Sequence, residues 1–268
     1  MLPDLVYDRR GTGSPLVLIH GIGHRRQIWN PILDQLTQRY DVFTVDLSGF
    51  GESPVYPRGH AYSMPNACDH LADQFEKWGI EKPHVVGNSL GGAISLELGV
   101  RGLVSSVTAL SPAGFFGPIS RYRALVSLTL LRVLAVITPT PVLRWLARTR
   151  FGRALAGFLL YTHPERHSAE DTFGDAMGLK HAKAFERTAL AGVRYSFHGD
   201  IQVPTTVAWG EKDRILHYSQ SKLARARLPH AKHVDLPNCG HVPIADDPEL
   251  VVRVIDQTIE SAERSEAA

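Results

Sequence analysis

Residues 84–92 read His84-Val85-Val86-Gly87-Asn88-Ser89-Leu90-Gly91-Gly92. Lys82 to Val86 is a short run that predicts a strand, and Leu90 to Val100 carries a helical pattern. Between them Ser89 sits in the pentapeptide G-x-S-x-G, in the strand–turn–helix setting that makes this motif informative. The turn is tight, so the residues two before and two after the serine approach each other. Both must be nearly free of side chain, and they are Gly87 and Gly91. The serine then projects above the carboxyl ends of the strands. The helix beginning near Leu90 aims its free N–H groups at any anion that gathers there.

The same alternation continues outward from this turn. Pro15 to Ile19, Asp41 to Val45, Val104 to Leu110, Thr205 to Trp209 and His233 to Leu236 read as further strands. Their unbroken apolar character suits parallel strands covered on both faces. Helical patterns follow at Gln27 to Gln38 and at Ser63 to Trp78, where Ala67, Leu71, Phe75 and Trp78 share one face. Ser63 is the expected N-cap and Gly79 the expected stop. Asp247-Pro248 opens a last helix expected to run to about Ala262. Strands alternating with helices predict an α/β fold with a mostly parallel sheet and right-handed crossovers.

One segment breaks the rhythm. From Pro112 to Val203 there is no convincing strand for about 90 residues, too long for a loop in a compact domain. Its Leu, Ala and Arg content predicts a helical cap. The expected division is a core of residues 1–112 together with 203–268, and a cap of residues 113–202.

Composition narrows the function classes. The 268 residues carry 29 Lys+Arg against 27 Asp+Glu, a net charge of +2, which argues against a nucleic-acid binder. Two cysteines, Cys68 and Cys239, cannot make a disulfide framework or a zinc cluster and fit a reducing compartment. Charged residues interrupt the N-terminus before any stretch of signal-peptide length. The most apolar segment, Ala124 to Ile137, falls short of the roughly 20 residues of a membrane span. A soluble, cytoplasmic protein is expected. No metal cluster or dinucleotide fingerprint is visible, so no cofactor is expected.

Ser89 in its turn, His20-Gly21-Ile22-Gly23 after the first long strand, Asp46 to Ser53 after the next, Gly210-Glu211-Lys212-Asp213 and Gly240-His241 together resemble the α/β-hydrolase superfamily, over nearly the whole chain. The order Ser89, Asp213, His241 is the order nucleophile, acid, base of that fold. The resemblance implies that His241 takes the proton of Ser89 as it attacks, and that Asp213 orients the imidazole. It implies an oxyanion hole formed by the backbone N–H groups of Ile22 and Leu90. Glu211 competes with Asp213 as the acid. Asp46 reads as a turn-former, His20 as a loop brace, Trp29 as core packing and Cys239 as structural.

The kind of hydrolase is narrowed by departures from relatives. Haloalkane dehalogenases and epoxide hydrolases use an aspartate where this chain has Ser89. Carbon–carbon bond hydrolases resemble Gly87 to Gly92 but usually carry tryptophan after the histidine, and here it is Val242. The default is a serine carboxylic ester hydrolase of the esterase or lipase type. A carbon–carbon bond hydrolase, a thioesterase, a receptor-like binder, a lyase and a perhydrolase remain open.

The cap is expected to select the substrate. Leu125 to Ile137 makes a helix apolar almost all round, which must be buried, bound to a partner or laid against lipid. Phe115 and Phe116, where the cap leaves the sheet, and Val242 are expected pocket walls. An apolar small-molecule ester is the expected partner, against the alternative that the cap merely packs on itself. From Pro112 to Pro164 there are seven arginines and no Asp or Glu, leaving −5 for the rest of the chain. That predicts either solvated arginines or peripheral contact with an anionic membrane. Oligomeric state is not legible.

Overall fold

A computed structural model describes residues 2–266. Seven strands form one sheet: β1 (Tyr7–Arg10), β2 (Ser14–Ile19), β3 (Tyr40–Val45), β4 (His84–Asn88), β5 (Ser106–Leu110), β6 (Thr205–Gly210) and β7 (Lys232–Leu236). Their spatial order is β1-β3-β2-β4-β5-β6-β7. All neighbours are parallel except β1, which pairs antiparallel with β3 at the edge. The strand that ends in the serine motif is therefore the middle one of seven.

Strand pleating sorts the apolar residues to two faces. Val17, Ile19, Phe43 and Val85 face one layer with Phe75 of α2 (Met64–Trp78) and Ile94 of α3 (Leu90–Val100). Leu16, Leu18 and Val42 face the other, with Ile32 of α1 (Asn30–Leu36) and Ile255 of α11 (Pro248–Glu266). The caps are as the sequence predicts. Ser63 accepts from Asn66 N, Gly79 is left-handed at φ 69°, and Asp247 Oδ1 accepts from Leu250 N.

Several boundaries differ from the expected ones, for local reasons. The strand expected to start at Lys82 starts at His84 and runs on to Asn88, because Pro83 has no N–H to give and Asn88 still pairs with Leu110. The helix expected over 27–38 is split into a 3₁₀ turn, Arg26–Trp29, and α1, with Pro31 in the first turn of α1. The strand β1 has no apolar run to announce it. It is a charged edge, held partly by Arg9 paired with Asp41 of β3 at 2.7 Å.

Between β5 and β6 lies a helical insertion: α4 (Ser120–Ile137), α5 (Thr140–Arg148), α6 (Arg150–Gly157), α7 (Ala169–His181) and α8 (Phe185–Arg194). The last core helices are α9 (Ser221–Arg227) and α10 (Pro243–Asp246), followed by α11.

Glycines set how closely the strand ends approach. A Cβ at Gly91 would lie 2.0 Å from the carbonyl oxygen of Ile19, and one at Gly87 would lie 2.1 Å from that of Gly91. Relieving the first contact would draw α3 off the end of β2, and relieving the second would open the turn between β4 and α3. Gly91→Ala is therefore expected to cost about 3 kcal/mol or more in a urea titration. Gly192→Ala, in α8 with open space around it, is expected to be neutral or to stabilise by about 0.5–1 kcal/mol.

Candidate active site

Ser89 has φ 57° and ψ −111°, a backbone conformation rarely adopted outside glycine. The turn is held from three sides. Ser89 N donates to Leu110 O at 2.9 Å, and Ser89 O accepts from Ala93 N and Ala113 N, each at 3.0 Å. The loop after β2 runs alongside, since a Cβ at Gly21 would lie 3.1 Å from the Cβ of Ser89. Leu90 is the first residue of α3, so its N–H lies in the turn whose donors have no partner within the helix. The two candidate oxyanion donors, Ile22 and Leu90, thus belong to segments flanking the serine.

His20 braces that loop, as the sequence suggests. Its Nδ1 bonds the carbonyl of Gly21 at 2.7 Å, and its Nε2 accepts from Leu47 N at 3.0 Å. A ring that donates at Nδ1 and accepts at Nε2 is neutral, and burial lowers its pKa accordingly. Asp46 has the expected structural part: it accepts from Arg26 N and from Glu52 N, and pairs with the Arg26 guanidinium at 2.6 Å.

Asp213 and His241 meet at the ends of β6 and β7. His241 Nδ1 lies 2.8 Å from Asp213 Oδ2, and both side chains are buried. Asp213 Oδ1 accepts from Ile215 N at 2.9 Å and Leu216 N at 2.8 Å. A carboxylate oxygen is an acceptor, so the contact orients the imidazole with Nδ1 as the donor and Nε2 turned away from Asp213. Glu211, the competing acid, is exposed on the same turn. The turns also interlock: a Cβ at Gly210 would lie 2.1 Å from Gly240 O.

Two residues that sequence reasoning passes over hold these pieces in register. Asn88 Nδ2 donates to the carbonyl of His241 at 2.9 Å and to that of Leu110 at 3.1 Å. It therefore ties the serine turn to the histidine loop across the sheet. Its only sequence signal is its place inside the motif. Asp246 accepts from Gly240 N at 2.7 Å and from Thr162 N at 2.9 Å, so it joins the histidine loop to the insertion. Val242 N adds a bond to Leu160 O at 3.0 Å. Nothing near Asp246 in the sequence signals this.

Two apolar cavities reach the candidate oxyanion residues, though neither is lined by Ser89, Asp213 or His241. One, of about 260 Å³, is lined by Ile22 and His24 of the loop and by Leu128, Leu146, Tyr161 and Leu179 of the insertion. The other, of about 280 Å³, is lined by Leu90, Ile94, Leu47, Tyr62, Thr188 and Tyr195. The expected pocket walls line neither. Phe115 is fully buried against Phe197 and Trp209, because the chain passes beneath the insertion there. Phe116 is half-buried beside Arg121. Val242 packs into the α1–α11 layer. Cys239 is buried, which pushes its thiol up to about 12, so it stays an unreactive thiol.

His24 lines the first cavity with Nδ1 unpartnered. Burial, reinforced by neighbouring His20 and His241, lowers its pKa to about 3. The unfolded chain protonates this group near pH 6.5. As pH falls from there to about 3 the unfolded state binds more protons, and the fold loses about 1.4 kcal/mol per pH unit through this group. His24→Gln is expected to flatten the fall in melting temperature over that range, read by circular dichroism.

Comparison with known proteins agrees with this geometry. Residues 14–248 match the family model described as alpha/beta hydrolase fold. The chain is 28% identical to Lipase 1 of Psychrobacter immobilis, over 90% of this chain and 76% of that one. It is also 28% identical to the pimeloyl-[acyl-carrier protein] methyl ester esterase of Aeromonas hydrophila, over 94% of this chain and 98% of that one. The crystal structure of a bacterial membrane phospholipase A superposes with a TM-score of 0.77 at 25% identity, covering 97% of this chain and 83% of that one. With Ser89 directly after the middle strand and a buried aspartate–histidine pair from the turns that follow β6 and β7, the chain belongs to the α/β-hydrolase fold family.

Proposed function

We propose that this chain is a serine hydrolase that cleaves a carboxylic ester bearing an apolar acyl or alcohol group. The observation that carries the reading is the buried Asp213–His241 pair on the rim where the strained Ser89 turn is held. A serine hydroxyl is a weak nucleophile at neutral pH. His241 Nε2, with its lone pair free, takes the proton of Ser89 as Oγ attacks the ester carbonyl. Asp213 stabilises the imidazolium and holds its tautomer. The oxyanion is received by the N–H groups of Ile22 and Leu90, each worth about 3–4 kcal/mol in the transition state. His241 then passes its proton to the departing alcohol, leaving an acyl-enzyme on Ser89. Water, activated by the same histidine, releases the acid.

The apolar part of the reading rests on the two cavities. The oxyanion donors belong to different walls, Ile22 to one cavity and Leu90 to the other. An ester held with its carbonyl between them has an apolar space on each side. The named relatives are a lipase and a methyl ester esterase, which favours oxygen esters among the substrates open to this triad.

A fluorophosphonate probe is expected to label the wild type and not Ser89→Ala. Asp213→Asn is expected to lower kcat by about 10⁴-fold through the wrong tautomer, and Glu211→Gln to leave it nearly unchanged. The reverse order would move the acid to Glu211. In a p-nitrophenyl ester series, kcat/KM is expected to rise with chain length. A sharp optimum at acetate would remove the apolar substrate. Turnover of thioesters or vinylogous diketones in preference to esters would replace the ester reading.

A further inference from the structure

The insertion presents apolar side chains to solvent in a regular pattern. On α4 and the residue before it, Ile119, Tyr122, Val126, Leu130, Val133 and Ile137 are all exposed, at spacings of three and four. That is one helical stripe on the outer face. The opposite stripe, Ala124, Leu128, Leu131 and Ala135, is turned inward. Trp145 of α5, Phe151 and Leu155 of α6 and Phe158 directly after it are exposed as well, Phe151 at 77%. Exposed apolar side chains in this number on one insertion mark a contact with a partner or a membrane.

Charge selects the occupant. Arg123, Arg144, Arg148 and Arg150 are exposed among these residues and make no ion pair among the described residues. Three acids of the insertion are engaged elsewhere: Glu186 with Arg132, Glu165 with His163, and Asp175 with Tyr161. A second copy seated on this face by a two-fold axis would set arginines against arginines. A bilayer with anionic headgroups complements both features, apolar side chains entering the acyl boundary and guanidinium groups meeting phosphate. No single helix among the described residues is long and apolar enough to span a membrane, and α4 with α5 reaches that length only as a pair bent by 111°, a geometry that suits helices lying on the surface.

The surface is also continuous with the cavity beneath it. Leu134 and Leu155 are 48% and 64% exposed, and both line the cavity that reaches Ile22. An apolar ligand leaving a bilayer at this face enters the cavity without crossing water. We propose that the outer face of α4–α6 docks on an anionic lipid bilayer, with the cavity mouth facing the lipid. This inference concerns binding and does not rest on the chemistry proposed for Ser89.

Vesicle co-sedimentation of the full chain as Ser89→Ala, which leaves the lipid intact, tests it. The protein is expected to sediment with vesicles of phosphatidylcholine and phosphatidylglycerol about tenfold better than with phosphatidylcholine alone, and to be released by salt. Trp145 is the exposed tryptophan, so emission is expected to shift to the blue on binding and Trp145→Phe to abolish the shift. Ile137→Asp with Phe151→Asp is expected to lower binding about tenfold while circular dichroism and melting stay unchanged. Equal binding to both vesicles, binding untouched by the double substitution, or a dimer in sedimentation velocity that the double substitution dissociates would overturn the proposal.

Discussion

The backbone of Gly91 rests against the carbonyl of Ile19 with no room for a single carbon between them. Most of the site follows from that contact. It draws the start of α3 onto the end of β2, which brings the loop at Gly21 beside Ser89. It forces the chain to reverse within the span from Gly87 to Gly91, so Ser89 takes a strained conformation that places its side chain above the sheet. The strain persists because Leu110, Ala93 and Ala113 each hold the serine backbone by a hydrogen bond. A second contact of the same type, Gly210 against Gly240, seats the histidine loop on the acid turn.

Side chains then couple these rigid pieces. Asn88 reaches from the serine turn to the histidine loop, and Asp246 reaches from the histidine loop to the insertion. The insertion is therefore fastened to the segment that carries His241, not merely laid over it. Its inner face closes an apolar cavity ending at Ile22, while its outer face stays apolar and arginine-rich. One set of helices thus presents two apolar faces. The stripe through Leu128 and Leu131 turns to the cavity and the stripe through Val126 and Leu130 turns outward, because residues three and four apart share a face.

Local pattern explains what was legible. Glycine spacing around Ser89, the caps at Ser63, Gly79 and Asp247, and six of the seven strands are written in neighbouring residues. β1 was hidden because its stability lies in pairing with β3 and in the Arg9–Asp41 contact, not in its own composition. Phe115 lies in the core and not in a pocket wall, a difference its sequence does not carry, because an aromatic residue at a domain exit looks the same whether it faces a cavity or the core. Here Phe197 and Trp209 cover it.

By itself the sequence determined the α/β order, the serine turn, the identity of the loops that approach it, and the long helical insertion with its unbalanced arginines. These depend on spacing and residue type within short windows. Only the tertiary structure paired His241 with Asp213 and left Glu211 exposed, revealed Asn88 and Asp246, and separated the inner from the outer face of α4. The reason is geometric. Asn88 and His241 are 153 residues apart in the chain and become neighbours only where parallel strands end on a common rim.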